Sequence, residues 1–446
     1  MTTEIAILNR SAVALAADSA VTVSGRGGIK VYDGVNKLFE LVRGRPVGVM
    51  IYNSADLSLR PWETIIKSYR EERKLCSFPT LDEYVSDFKE FIQTHAALFS
   101  RRQQREALAS LIDSDLSMVR AYIGRAILAK VRSGNAPTTQ QVSRIVNREV
   151  REFWEYARAS YALDQWDRPL PSLRTLSAEL RDLLDERIDI VFENLPLNDA
   201  VRARLRIALI HRSLGFAGED DDEEFSGVVF AGFGDDEYYP RLREFRTKVV
   251  YNDRLLCREL EDSKSDIGVD LPGDVKSFAQ GDMIRSFTDG IQDQVRSEMV
   301  MYWARWRSGG VGAAVTGDSA LGSLSKAEKK AIAKVVDSQA ITWVDDFLAH
   351  MAAYERANVR GPLLQSVSYL PKDEMGAMAE SLVNLTTLKR RVSINEAQTV
   401  GGAVDVAVVS RGDGFVWLKR KHYFSQNLNP SWAATHAATP ARQDED

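Results

Sequence analysis

The sequence predicts an α+β fold in which two β-sheets lie inside two layers of helix (αββα), with helical insertions interrupting the layers. Three observations predict it. Short apolar runs bounded by turn residues occur near both ends of the chain and again around residue 230. Residues 60–215 between the first two groups carry helical rather than strand periodicity. The two kinds of segment are segregated, not alternated strand by helix, which disfavours a parallel βαβ sheet.

The elements follow in order. Residues 3–8 and 11–18 read as two strands joined by the turn residues Asn9 and Arg10. Gly25, Gly27 and Gly28 mark a loop, and residues 37–41 and 47–52 read as two further strands. Helical spacing of Leu81, Tyr84, Phe88 and Phe91 predicts a helix opening at Thr80, with Glu83 three residues on completing a capping box. Further helices fit residues 101–131, 138–161, 173–194 and 198–213, the last stopped by Gly215. The acidic run at 219–224 reads as a linker, since a solvated charge run is far commoner than a metal site. Strands return at 227–234, 245–251 and 255–261, followed by a helix over 283–305. Residues 309–323 are rich in Gly, Ala, Ser and Thr without a phosphate-loop ending, and read as a flexible connector. Ser325 with Glu328 caps a long helix to about 357, another spans 372–385, and two strands joined by the turn at 411–414 close the fold.

This gives a first part of the core over 2–66, helices including an insertion lobe over 67–225, and a second part of the core over 226–308. A connector and helices follow over 309–385, then a closing hairpin over 386–424 and a polar tail over 425–446 expected to be disordered. At 446 residues, one elaborated domain or two to three ordinary ones are allowed.

Composition narrows the function classes. Hydrophobic residues make up 44% and charged residues 27%, as in ordinary globular proteins. Lys and Arg number 58 against 63 Asp and Glu, so no basic excess exists to neutralise a phosphate backbone, and nucleic acid is not an expected partner. Two cysteines, Cys76 and Cys257, cannot build a disulfide framework, and they suit a reducing compartment. The start has no basic stretch before an apolar core, and no run approaches ~20 apolar residues. A cytoplasmic protein without a membrane segment is the expectation. The five histidines have no ligand spacing, and neither a dinucleotide fingerprint nor a Gly-x-Ser-x-Gly elbow is present, so no metal or cofactor is expected.

The chemistry that remains begins at the N terminus. Methionine is normally removed before a small residue such as Thr2, which would leave a threonine with both a hydroxyl and a free α-amine. Such a residue can use its own amine as base for its own hydroxyl. An α-amine has a pKa near ~7.7–8.0, close to working pH. A neighbouring lysine would lower the pKa of both groups, and a carboxylate would hold that lysine in place. Asp18 and Lys37 stand at the ends of adjacent strands. Alone, each reads as a turn aspartate and a strand-edge lysine.

The stretch MTTEIAILNRSAVALAADSAVT, followed by GVNKLFEL, resembles the opening of proteasome β-type threonine peptidases, a family of N-terminal-nucleophile hydrolases, and in particular its bacterial-type members. The segment GGAVDVAVVSRGDGFVWL is similar to the family's closing hairpin, and VVFAGFGDDEYYPRL with SFAQGDM resembles its central strands and the turn before its third helix. The matches keep family order along the whole chain. The resemblance implies the four-layer sandwich, Thr2 as nucleophile, Asp18 and Lys37 as its partners, and hydrolysis of amide, in the first place peptide, bonds. It places the strand glycine of the oxyanion hole at or beside Val49, whose side chain would crowd an incoming peptide. It also implies a homo-oligomer, a peptide or protein substrate and an ATP-dependent unfoldase as partner. Departures fall in the supporting residues. Gln280 stands before Gly281 where the family has a serine, while Ala397 and Val400 replace an aspartate and a serine, with Glu396 adjacent. Those departures leave a second reading, a non-catalytic scaffold that binds partners through its helical insertions.

Overall fold

The computed structural model describes residues 3–25, 28–74, 76–95, 97–134, 136–166, 168–217, 225–305, 311–393 and 401–431. Thr2, Glu396, the acidic run at 219–224 and the tail from 432 onward therefore lie outside the described residues. In chain order the first strands are β1 (Thr3–Asn9), β2 (Val13–Ala17), β3 (Ala20–Gly25), β4 (Gly28–Asp33), β5 (Leu38–Glu40), β6 (Val47–Asn53), β7 (Asp56–Leu57) and β8 (Arg60–Pro61). Seven helices follow, α1 (Trp62–Glu72), α2 (Leu81–Thr94), α3 (Arg101–Arg132), α4 (Thr139–Ser160), α5 (Leu173–Glu179), α6 (Arg181–Val191) and α7 (Asp199–Leu214). Next come β9 (Ser226–Gly232), β10 (Arg241–Tyr251), β11 (Arg254–Glu259), β12 (Ser265–Asp266) and β13 (Gly273–Ala279). The chain continues through α8 (Asp282–Asp289), α9 (Asp293–Arg305), α10 (Val311–Thr316), α11 (Lys326–Glu355), α12 (Gly361–Val367) and α13 (Lys372–Val392) to the closing pair β14 (Asp405–Ser410) and β15 (Gly414–Lys419). The structure is mixed α and β, compatible with the α+β class.

The chain divides into two compact units. The first comprises Met1–Leu38, Tyr238–Arg241 and Ser265–Asp446. Its sheet runs β13-β1-β2-β14-β15, each neighbour antiparallel. The turn between β1 and β2 is built by Asn9, whose side-chain oxygen accepts from the Ser11 and Ala12 amides at 2.9 and 3.2 Å. Strand alternation then sorts the side chains. Ile5 and Ile7 of β1, Ala14 and Ala16 of β2, and Val406 and Val408 of β14 share one apolar core with Met375, Ala379, Leu382 and Val383 of α13. The intervening residues of β1 and β2 are buried as well, on the opposite face.

The second unit comprises Phe39–Glu237 and Leu242–Lys264. Its sheet runs β11-β10-β9-β6-β5. Val47, Val49 and Ile51 of β6 pack with Phe230 and Phe245 against Trp62, Ile65 and Tyr69 of α1 and Tyr84, Phe88 and Phe91 of α2. Thr80 caps α2, its hydroxyl accepting from the Glu83 amide at 3.3 Å, while that hydroxyl donates to the Glu83 carboxylate at 3.1 Å, which is half of the expected capping box. A separate core joins α3, α4, α6 and α7 through residues such as Ile112, Leu116, Val150, Leu184 and Leu205, and reaches Val249 and Leu256 of the β10–β11 hairpin.

Several expectations need correction. The glycine-marked loop after residue 20 is a hairpin, with β3 and β4 paired from Ala20↔Asp33 to Gly25↔Gly28. The connector at 309–323 contains α10. It forms because Gly312 has no side chain: a Cβ there would lie 2.6 Å from Asp337 Oδ2, and instead the Gly312 amide donates to Asp337 Oδ1 at 2.7 Å, seating α10 on α11. The helix expected over 173–194 breaks at Leu180 into α5 and α6, and the one over 283–305 breaks at Gly290, whose left-handed φ of 78° ends α8. Helices α3 to α7 fall in the same compact unit as the second sheet, and the β10–β11 hairpin is part of their core.

Candidate active site

The site is assembled at one end of the first unit's sheet. Asp18 directly follows β2, and the β1–β2 register sets its neighbour Ala17 opposite Glu4. The Asp18 amide donates to the Thr3 carbonyl at 3.2 Å, and the Thr3 amide donates back to Asp18 Oδ1 at 3.1 Å. That amide belongs to the peptide bond joining Thr2 to Thr3. Lys37 arrives from the other side of the β3–β4 hairpin. The Gly34 and Val35 amides both donate to the Ser19 carbonyl, at 3.0 and 3.1 Å, which anchors the segment leading to Lys37 beside Asp18. Lys37 Nζ then donates to Asp18 Oδ1 at 2.6 Å. The pair is deeply buried, Lys37 being 4% and Asp18 1% exposed.

The second carboxylate oxygen is also committed. Asp18 Oδ2 accepts from the Gly401 amide at 3.0 Å, and the Gly401 carbonyl accepts from the Ser19 amide at 3.3 Å. Gly402 follows with φ of 77°, and a Cβ on it would stand 2.4 Å from Ser19 Oγ. Only glycine combines that backbone with that approach. An aspartate that accepts from three donors is held in place, and it orients the buried lysine ammonium.

Glu4 completes the cluster. It is fully buried, and its Oε1 lies 3.8 Å from Lys37 Nζ. Sequence reasoning missed Glu4 as a site residue, and it quoted Gly401 and Gly402 only as part of a hairpin pattern. The signal for Glu4 was present: a lone carboxylate in an otherwise apolar buried strand has to be compensated.

The other sequence-predicted residues fall as follows. Thr3 pairs with Ala279 in the β1–β13 register, so Gln280 and Gly281 lie just past the last pair, at the end of the sheet where β1 begins. Gln280 is half-buried, and Gly281 donates its amide to the Ala279 carbonyl at 3.2 Å and opens α8. A Cβ on Gly281 would lie 2.5 Å from Ser277 Oγ. Val49 belongs to the second unit, mid-strand on β6 opposite Phe230. Its side chain is committed to the apolar core with Trp62 and Phe88. Thr2 and Glu396 are outside the described residues. Among the described residues, His, Cys, Asp and Glu nowhere form a group of three or more that could hold a metal ion. No helix among them is long and apolar enough to cross a membrane.

No family model matches the sequence, and no curated protein is similar to it. Among solved structures, the chain is similar to the Gly-1 mutant of Anbu from Hyphomicrobium sp. strain MC1, at 12% identity and a TM-score of 0.25, over 98% of this chain and 95% of that one. So low a TM-score establishes neither fold nor activity for this chain.

Proposed function

We propose that this protein is a threonine-type hydrolase of the proteasome β-type kind, cleaving amide bonds, above all peptide bonds, with Thr2 exposed by removal of Met1. The four-layer αββα reading of the fold goes with that proposal. The observation that supports it is the buried Lys37–Asp18 pair at 2.6 Å, in which the same carboxylate oxygen accepts from the amide adjoining Thr2. An ammonium at that place disfavours a proton on the Thr2 amine, which leaves the amine free to act as base near neutral pH.

The reaction then runs in two halves. The Thr2 hydroxyl oxygen bonds to the substrate carbonyl carbon while its proton passes to the α-amine. The amide C–N bond breaks as the α-ammonium returns that proton to the leaving nitrogen, and an ester to Thr2 remains. Water, deprotonated by the same amine, attacks the ester carbon and breaks its bond to the Thr2 oxygen, to which the proton returns. Lys37 takes no part in the proton transfers, and Asp18 keeps it in place. The resemblance extends the proposal to a peptide or protein substrate, a homo-oligomer, an ATP-dependent unfoldase as partner and a cytoplasmic setting, which suits two cysteines that form no disulfide.

Intact mass and labelling test the reading. The protein should lack Met1, and a peptide epoxyketone should add to Thr2 in the wild type but not in Thr2→Ala. Lys37→Arg should not label either, because a planar guanidinium cannot take the place of a compact ammonium. A retained Met1, or a wild type that never labels, would overturn the hydrolase and leave the scaffold reading.

A further inference from the structure

We propose that a cleft between α3, the α5–α6 junction and the β10–β11 turn binds a small zwitterion with an apolar side chain, a free α-amino acid of the leucine type. Binding there depends neither on Thr2 nor on turnover. The cleft has a volume of ≈ 330 Å³, at the low end of the range of about 300–1,000 Å³ for small-molecule sites. All of its walls belong to the second compact unit. Ser100 caps α3 by accepting from the Gln103 amide at 3.3 Å. The helix that starts there presents Arg101, Gln104, Arg105 and Leu108 on one face, at the i, i+3, i+4, i+7 spacing. The break at Leu180 brings the end of α5 and the first turn of α6 to the opposite wall, through Glu179, Leu180 and Leu183. Leu108, Leu180 and Leu183 are 1%, 5% and 2% exposed, and they give the cleft an apolar lining.

Some of the polar groups only build the wall. Arg101 donates to Asn252 Oδ1 at 2.7 Å and to Asp253 Oδ2 at 2.5 Å, and the buried Gln104 amide donates to Asp253 Oδ1 at 2.8 Å. These bonds fasten the hairpin turn to α3. Arg105 and Glu179 are different. Both are exposed and line the cleft, and among the described residues neither forms an ion pair. Glu179 Oε2 accepts from the Tyr251 hydroxyl at 3.3 Å. Burial, and then the Glu179 charge, push that hydroxyl up to about 12, so at neutral pH it stays protonated and donates. Glu179 Oε1 remains for a second donor. A guanidinium and a carboxylate that line one cleft without meeting match the two ends of a zwitterion. The ligand carboxylate would lie against Arg105, its ammonium against Glu179, and its side chain on the leucines. A ligand with a single charge leaves one of the two side chains unanswered, which selects against it.

Isothermal titration calorimetry on the full chain tests the assignment. The probes are L-leucine, 4-methylpentanoate, which lacks the amine, and 3-methylbutylamine, which lacks the carboxylate. L-Leucine should bind about tenfold more tightly than either, because each of the others gives up one charge-assisted contact. Arg105→Ala should weaken leucine about tenfold and leave the amine unchanged. Glu179→Gln should weaken leucine by a similar factor and leave the acid unchanged. Both side chains are exposed, so both variants should fold, as thermal melts will check. Absence of binding at millimolar leucine would overturn the proposal. Leucine that binds equally well to the wild type and both variants sits elsewhere, and would overturn it too.

Discussion

Lys37 behaves as no strand-edge lysine would. On a surface, its replacement by alanine would change stability by a few tenths of a kcal/mol. Here the ammonium is buried against Asp18, so Lys37→Ala leaves the buried Asp18 carboxylate without that counter-charge. The expected loss is about 3–5 kcal/mol in urea unfolding, the usual consequence of breaking a buried pair. Lys37→Ala combined with Asp18→Asn should cost clearly less than the sum of the two single changes, because the second change removes a charge the first stranded. Additive losses would mean that the two side chains do not act as a pair. Labelling comparisons on these variants therefore need a temperature at which each is shown to be folded.

At the scale of elements, the pairing of α2 with β11 offers a pH test. Lys89 of α2 donates to Glu259 of β11 at 2.5 Å, with Lys264 3.8 Å from the same carboxylate, and this holds the Glu259 carboxyl below its ordinary value of 4.5. The folded state therefore binds that proton less readily than the unfolded chain. The pair's contribution to stability is complete above the ordinary carboxyl value and is lost as pH falls through the depressed one. Glu259 is half exposed, so solvent screening limits the effect to about 1 kcal/mol or less. Glu259→Gln should be less stable than wild type by that amount at pH 7, and the difference should close on acidification in parallel thermal melts. A gap that persists at pH 2 would point to packing instead of charge.

For the whole molecule the testable consequence is association. Trp343 of α11 is 63% exposed, and Met301 and Tyr302 of α9 are more than half exposed. With the proposed kinship to ring-forming hydrolases, this leads us to expect a homo-oligomer. Light scattering behind size exclusion should give a mass that is a multiple of 49.9 kDa at micromolar concentration. A monomeric mass would remove self-association from the proposal.

Local periodicity by itself determined the strands at 3–8, 11–18 and 404–410 and the capped start of α2 at Thr80, because such patterns depend on neighbours a few residues away. Asp18 and Lys37 alone read as a turn aspartate and a strand-edge lysine, and it was the resemblance that singled them out. Gly290 is a local stop signal that the reading of 283–305 as one helix passed over, whereas the break at Leu180 was not legible, since helical spacing continues across it. Nor was α10, whose formation depends on Gly312 meeting Asp337 across 25 residues of chain. Glu4 shows the same division. Its identity is plain in the sequence, but its meaning is not, because in a strand of alternating faces either face could have been the wet one. Only the assembled sheet, buried on both sides of β1, brings a carboxylate to 3.8 Å from Lys37. A charge buried there acts on its neighbours with little screening, and distances of that kind are set by strand pairing between residues far apart in the chain.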